Sequence, residues 1–277
     1  MFSLEGKTVV VTGGGRGIGK GISLCMAKAG ANVIAAGRSL EPLKATVDEI
    51  KKLGRKAIAV QGDVTKPDDI QRIIAEATRT FGYVHCWVNN AGSADPKDVG
   101  PLMDLRPDQW DRVVDLNMKW TFFAAQAAAR AMTKGGSIIN ITSRSGSQPN
   151  PMTGQYGAAK AGIENLTATM AVEWGHLGIR VNAVAPGVVL TETFTAPGGT
   201  LSKPSRIQRQ IETVPLRRLG TIEDVGYACV FLASEEASWI TGEVIQLTGG
   251  SRIPVGLLTY LHHVNERLSG GEKRPER

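Results

Sequence analysis

Seven short runs of β-branched and apolar residues recur along the chain, each separated from the next by a longer stretch of helical character. They fall at residues 8–11, 32–36, 57–61, 84–88, 137–141, 179–183 and 244–247. Strands alternating with helices imply a parallel sheet, because a parallel pair needs a long crossover and a helix is the usual one. The helix expected over 17–29 stops at Gly30, and the helix expected over 39–53 carries Pro42 in its first turn, where a missing N–H is tolerated. With 277 residues the chain is long enough for one large α/β domain and too short for a clear second one. No repeat of solenoid length and no linker divides it. The expectation is a single-domain α/β fold on a doubly wound parallel sheet of about seven strands.

The first run opens directly into Thr12-Gly-Gly-Gly-Arg-Gly-Ile-Gly19. Here Gly13 permits a sharp exit from the strand, Gly17 lets backbone approach a diphosphate, and Gly19 lets the helix pack close to the sheet. Amides at the helix N-terminus then face the phosphates. The bland alternative is a tight strand-to-helix turn with no ligand, and a Val-rich strand immediately before the loop argues against it.

A second constellation lies at residues 143–160. Tyr156 and Lys160 are four apart in a helical run, so they stack on one face a turn from each other. A phenol near pKa 10 is a poor proton carrier at neutral pH, and a fixed ammonium beside it favours the phenolate. Ser143 follows the run at 137–141, at a strand's C-terminal end, where open α/β sheets bind ligands. Taken alone, Tyr156 and Lys160 fit an amphipathic helix with a solvated lysine. Together with Asn89-Asn-Ala-Gly92 and the glycine loop, the four motifs in this order resemble the short-chain dehydrogenase/reductase family, from about residue 5 to 252.

The resemblance implies a Rossmann-type sheet in the order 3-2-1-4-5-6-7 and a bound nicotinamide dinucleotide. By the same resemblance Gly13, Gly15, Arg16, Gly17, Ile18 and Gly19 form the phosphate loop. Asp63 and Val64 correspond to the adenine-contacting pair, although Asp63 also reads as a helix or turn cap before Thr65-Lys66-Pro67. Asn90, Ala91 and Gly92 lie along the ribose in the family. Pro186, Gly187, Val189 and Thr191 match the nicotinamide segment, with the Val189 backbone on the carboxamide and the Thr191 hydroxyl assisting. Asn117, expected in mid-helix, matches the asparagine whose backbone carbonyl holds a relay water. The family roles make Asn117, Ser143, Tyr156 and Lys160 the catalytic set. Residues 192–213, loop and short helix, read as a lid over the substrate. The family also supplies a homotetramer, its contacts expected on helical residues 109–132 and 156–174.

Cofactor choice follows from the end of the second strand. An NAD enzyme of this architecture places a carboxylate there, against the ribose 2′-hydroxyl. This chain has Gly37 and Arg38 instead, with Arg16 in the glycine loop, and its nearest acid, Glu41, lies inside the next helix. Two arginines without the acid favour the 2′-phosphate of NADP(H).

Composition removes other classes. The net charge of +6 is spread along the chain apart from residues 203–209, 217–218 and the tail, and no nucleic-acid module is visible. No apolar run of membrane length and no leader pattern appears, so a cytoplasmic protein without a membrane partner is expected. The three cysteines, Cys25, Cys86 and Cys229, lack metal-ligand spacing and read as buried thiols, and no metal is expected. Arg144, beside Ser143, reads either as a pocket residue for an anionic substrate or, by preference, as a subunit-interface pair. Residues 253–277 read as an extension that packs on a neighbouring subunit as far as 268 and ends in a polar, disordered tail. The function expected is NADP(H)-dependent interconversion of a ketone and a secondary alcohol. A 3-oxoacyl thioester reductase is the second reading, and a non-catalytic NADP-binding sensor the third.

Overall fold

The computed structural model describes residues 2–196, 201–251 and Tyr260. In chain order the elements are β1 (Thr8–Thr12), α1 (Gly17–Lys28), β2 (Asn32–Gly37), α2 (Leu40–Lys52), β3 (Ala57–Gln61), α3 (Pro67–Phe81) and β4 (Cys86–Asn89). There follow α4 (Pro107–Val114), α5 (Trp120–Ala131), β5 (Gly136–Ile141), α6 (Gly154–Trp174), β6 (Ile179–Pro186), α7 (Glu192–Thr195), α8 (Pro204–Glu212), α9 (Ile222–Ala233) and β7 (Val244–Leu247).

Among the described residues the strands form one seven-stranded sheet in the order β3-β2-β1-β4-β5-β6-β7, as the family resemblance implies. Every pairing is parallel. Side chains alternate across the sheet with the strand period of two. Thus Val9 and Val11 join a cluster with residues of α1, α2 and α9, such as Ile22, Leu43 and Val225. Val10 points the other way, into a cluster with Ile73, Ala124 and Met170 of α3, α5 and α6. Full burial of a side chain such as Ile73 stabilises the fold by roughly 1.5–3 kcal/mol. The helix α3 shows local and tertiary signals in agreement. Pro67 and two acids, Asp68 and Asp69, start it, and its buried stripe is Ile70, Ile73, Ile74 and Ala77.

Two strand boundaries differ from the sequence reading by more than one residue. β4 starts at Cys86, because Val84 packs in the core ahead of the ladder. β6 runs to Pro186, since Ala185 and Pro186 continue the ladder with β7 after the pairing with β5 ends at Val184. All strands being parallel, the C-terminal ends of β1, β4, β5 and β6 share one edge of the sheet. The strand order reverses between β1 and β4, the switch point where such sheets open a crevice. Residues 197–200 of the expected lid, and the C-terminal extension apart from Tyr260, lie outside the described residues.

Candidate active site at the switch point

The glycine loop is fastened to β4 by one hydroxyl. Thr12 Oγ1 donates to Val88 O at 3.1 Å and accepts from the N–H groups of Asn90 at 3.0 Å and Ala91 at 3.1 Å. Asn90 Nδ2 returns a bond to Thr12 O at 2.9 Å. Gly13 has φ +67°, and a Cβ built on Gly19 would stand 2.2 Å from Gly13 O, so the cradle holds its shape only with glycines there. The first turn of α1 carries no acid and its N-cap, Arg16, makes no side-chain cap bond. The Gly17 N–H is met instead by a carboxylate oxygen, Glu192 Oε2, at 3.2 Å. A glycine cradle, free helix-end amides and an anionic oxygen already seated on one of them fit a dinucleotide diphosphate.

At the end of β2 Arg38 is exposed, and its backbone O accepts from Gln61 Nε2 at 2.9 Å. Arg16 is also exposed, and among the described residues neither arginine forms an ion pair with an acid. Glu41 is engaged with Lys44 on α2 at 2.9 Å. Asp63 is a turn cap, its Oδ1 accepting from Thr65 N at 3.0 Å and from Thr65 Oγ1 at 2.8 Å. Val64 beside it is buried. Past β6, Leu190 N donates to Gly220 O and Gly220 N to Val188 O, each at 2.9 Å. Those bonds use the groups flanking Val189 rather than its own N–H and C=O. Gly187 N donates to Leu247 O at 2.9 Å, and the Thr191 methyl lies 3.4 Å from a Cβ built on Gly17. The loop ends expected to hold the two halves of the cofactor thus sit side by side.

The four groups of the expected catalytic set converge on the same edge. Ser143 leaves β5 and caps a short turn, accepting from Ser145 N at 3.2 Å. Tyr156 stands in the first turn of α6, and Lys160 Nζ lies 5.5 Å from its ring centroid while donating to Ile141 O at 2.9 Å. Asn117 sits in a π-turn, residues Asp115–Lys119, wedged between α4 and α5. The turn is continuous with both helices, so the asparagine lies in mid-helix and the irregularity is one of hydrogen-bond register. Trp120 N–H bonds back five residues to Asp115 O, and the widened turn accommodates an asparagine that a regular helix disfavours. Asn117 Nδ2 donates to Ser93 O at 2.8 Å and Val113 O at 2.9 Å, while its Oδ1 is buried without a partner. Gly92 lies over this pair: a Cβ there would come within 2.6 Å of Asn117 Oδ1 and 3.3 Å of Lys160 Nζ.

Electrostatics depart from the sequence reading. Burial pushes the Tyr156 phenol up to about 12, with the Ser143 hydroxyl pulling the other way. Burial also pushes Lys160 down to about 8, opposed by the charge of Glu164. Glu164, one turn further along α6, has its own carboxyl raised by burial, and its Oε1 is buried without a partner. Sequence reasoning did not single out Glu164.

Arg144 also differs. It is only 2% exposed and neither opens to a pocket nor waits at a surface. Its Nη1 donates to Ser251 Oγ at 2.5 Å, its Nε has no partner, and burial lowers its pKa. Another network missed in the sequence holds the edge in register. Asn89 Nδ2 donates to Asn140 Oδ1 at 2.9 Å, and Asn140 Nδ2 to Thr167 Oγ1 at 2.9 Å, linking β4, β5 and α6. The signal was present, since Asn140 interrupts an isoleucine run destined for the core.

A family model described as enoyl-(acyl carrier protein) reductase matches residues 13–252. A hydroxynaphthalene reductase-like protein, Arp2, of Metarhizium acridum is 38% identical over 262 residues, covering 90% of this chain and 96% of its own. The 3-oxoacyl-[acyl-carrier-protein] reductase FabG of Staphylococcus epidermidis is 39% identical over 247 residues, covering 88% and 98%. Among solved structures, a 7α-hydroxysteroid dehydrogenase in complex with NADH and 7-oxo glycochenodeoxycholic acid superposes with a TM-score of 0.83 at 33% identity. It covers 90% of this chain and 95% of its own.

Proposed function

The chain belongs to the short-chain dehydrogenase/reductase family of oxidoreductases, and from that premise we propose that it interconverts a ketone and a secondary alcohol with NADP(H). The observation that carries this reading is the convergence of Asn117, Ser143, Tyr156 and Lys160 at the switch point, Asn117 and Lys160 beneath Gly92, the Tyr156 ring beside Lys160 and the Ser143 hydroxyl acting on the phenol. The dinucleotide, when bound, supplies or takes up the hydride. Gly13, Gly15, Arg16, Gly17, Ile18 and Gly19 would hold its diphosphate, and Asp63, Val64, Asn90, Ala91 and Gly92 its adenosine half and the adjoining ribose. Pro186, Gly187, Val189 and Thr191 would orient the nicotinamide, with Arg38 and Arg16 on the 2′-phosphate.

In carbonyl reduction Tyr156 gives its phenolic proton to the substrate oxygen, and Ser143 Oγ hydrogen-bonds that oxygen as negative charge develops. Burial keeps the phenol protonated at neutral pH, so the proton is in place and its release relies on groups that stabilise the phenolate. Lys160, as the ammonium, stabilises the phenolate left behind. Asn117 orders the far end of the proton path. Oxidation runs the same steps in reverse.

A reductase of 3-oxoacyl thioesters is the second reading. The FabG relative favours it, as does the basic α8 region with Lys203, Arg206 and Arg209. A sensor that binds NADP(H) without turnover has no use for all four convergent groups. Residues 1–252 are read as one catalytic domain with a lid at 192–213, part of which is α7 and α8. Self-association as a homotetramer is supported by apolar side chains left open on the helix faces, Phe123 on α5 at 42% and Val172 on α6 at 84%. Free, buried cysteines suit a cytoplasmic protein, and among the described residues no helix is long and apolar enough to cross a membrane. Following NADPH and NADH oxidation against a panel of cyclic ketones, bicyclic diketones, steroids and 3-oxoacyl thioesters tests the proposal. Turnover with a ketone and preference for NADPH are expected, and no turnover with any of them would overturn it.

A further inference from the structure

The N-terminus of α1 presents backbone amides with nothing local to satisfy them, since its first turn has no acid and its N-cap gives no side-chain bond. The amide of Gly17 finds its acceptor 175 positions away, in Glu192 Oε2 at 3.2 Å. Glu192 is the first residue of α7, the element that opens the lid region, and it is exposed to solvent. Among the described residues no cation pairs with it, so its charge is directed at the helix end alone. Thr191 next to it already lies against Gly17, which brings the carboxylate to the amide. Gly17 is also the residue assigned above to the cofactor diphosphate.

We propose that Glu192 is a competitor built into the cofactor site: its carboxylate holds the Gly17 amide, and an incoming dinucleotide must displace it. The inference rests on the dinucleotide reading of the glycine loop. Two consequences follow from charge and connectivity. A carboxylate beside a diphosphate repels it, so Glu192 weakens binding of any dinucleotide and speeds its release. Because α7 is a single short turn, with Ala196 N bonded to Glu192 O at 2.9 Å, removing the carboxylate from Gly17 also unties this turn from the glycine loop. The discrimination between NADPH and NADH is a separate matter, set at the other end of the cofactor by Arg38 and Arg16.

Equilibrium binding of NADPH and of NADH to the full chain, read by calorimetry, tests this with Glu192→Gln and with Glu236→Gln. The second variant makes the same charge change on an exposed residue remote from the site. For a solvent-screened like-charge pair, removal of the carboxylate is expected to tighten both nucleotides by the same factor, about three- to tenfold. Glu236→Gln should leave both unchanged. Unaltered or weaker binding in Glu192→Gln overturns the inference, as does a gain confined to NADPH or an equal gain in Glu236→Gln. Binding of neither nucleotide by the wild-type chain would overturn the cofactor assignment and this inference with it.

Discussion

Gly92→Ala places a single methyl group between two members of the expected proton path. The added Cβ would stand 2.6 Å from Asn117 Oδ1 and 3.3 Å from Lys160 Nζ. The second contact needs only a small adjustment, but Oδ1 must withdraw by about 0.8 Å to reach ordinary van der Waals distance. Asn117 has little room to yield, because it is itself fully buried and its Nδ2 is held by Ser93 O at 2.8 Å and Val113 O at 2.9 Å. Losing or bending one such buried bond costs about 1–3 kcal/mol, which for a domain of this size lowers the melting temperature by roughly 3–10 °C. Misplacing a group in a proton path by a fraction of an ångström to one ångström costs up to about a hundredfold in rate. Turnover at saturating NADPH should therefore fall about 10- to 100-fold in Gly92→Ala, with a modest loss of thermal stability by calorimetry. Gly175→Ala, where a Cβ meets nothing within 4 Å, is the control and should change neither. Wild-type turnover in Gly92→Ala would show that Asn117 and Lys160 do not work as the geometry implies.

Cofactor preference should invert in a chain carrying Gly37→Asp with Arg38→Leu. Loss of a charge-assisted contact to the 2′-phosphate costs roughly ten- to a hundredfold in NADPH affinity, and side-by-side kinetics that leave NADPH preferred would refute the role of Arg38. The pH profile of carbonyl reduction should fall as pH rises through about 8, because burial lowers the Lys160 pKa to that value and the ammonium is lost above it. Glu164→Gln removes the charge that opposes this lowering, so the alkaline limb should move to lower pH, and an unmoved limb would refute the coupling.

Local chemistry made much of this structure legible. The strands were marked by β-branched runs, and the glycine loop and the Tyr156–Lys160 spacing by their own short-range geometry. Strand order came from family resemblance, since which crossover goes where is not written in any one segment. What escaped notice is long-range or depends on burial. The π-turn at Asn117 is a shift of one backbone hydrogen-bond register, which leaves no compositional mark. Arg144 reads as a pocket or subunit-interface residue until the fold closes over it and hands it to Ser251. The Tyr156 phenol was expected to fall under the influence of Lys160, yet desolvation, which depends on neighbours from the whole fold, dominates it. The Glu192 contact with Gly17 joins two loops that only the folded sheet brings to one edge.

The central claim is that Tyr156 carries the proton in a reaction whose hydride comes from a bound nicotinamide. Replacing Tyr156 by Phe deletes the hydroxyl and leaves the ring, α6 and the glycine loop as they are. Single-turnover and steady-state reduction of a ketone substrate by Tyr156→Phe, alongside NADPH binding, measures this directly. The account predicts NADPH binding close to wild type and turnover lower by at least about a hundredfold, the scale of losing an acid–base group. Near-native turnover with NADPH bound would contradict it.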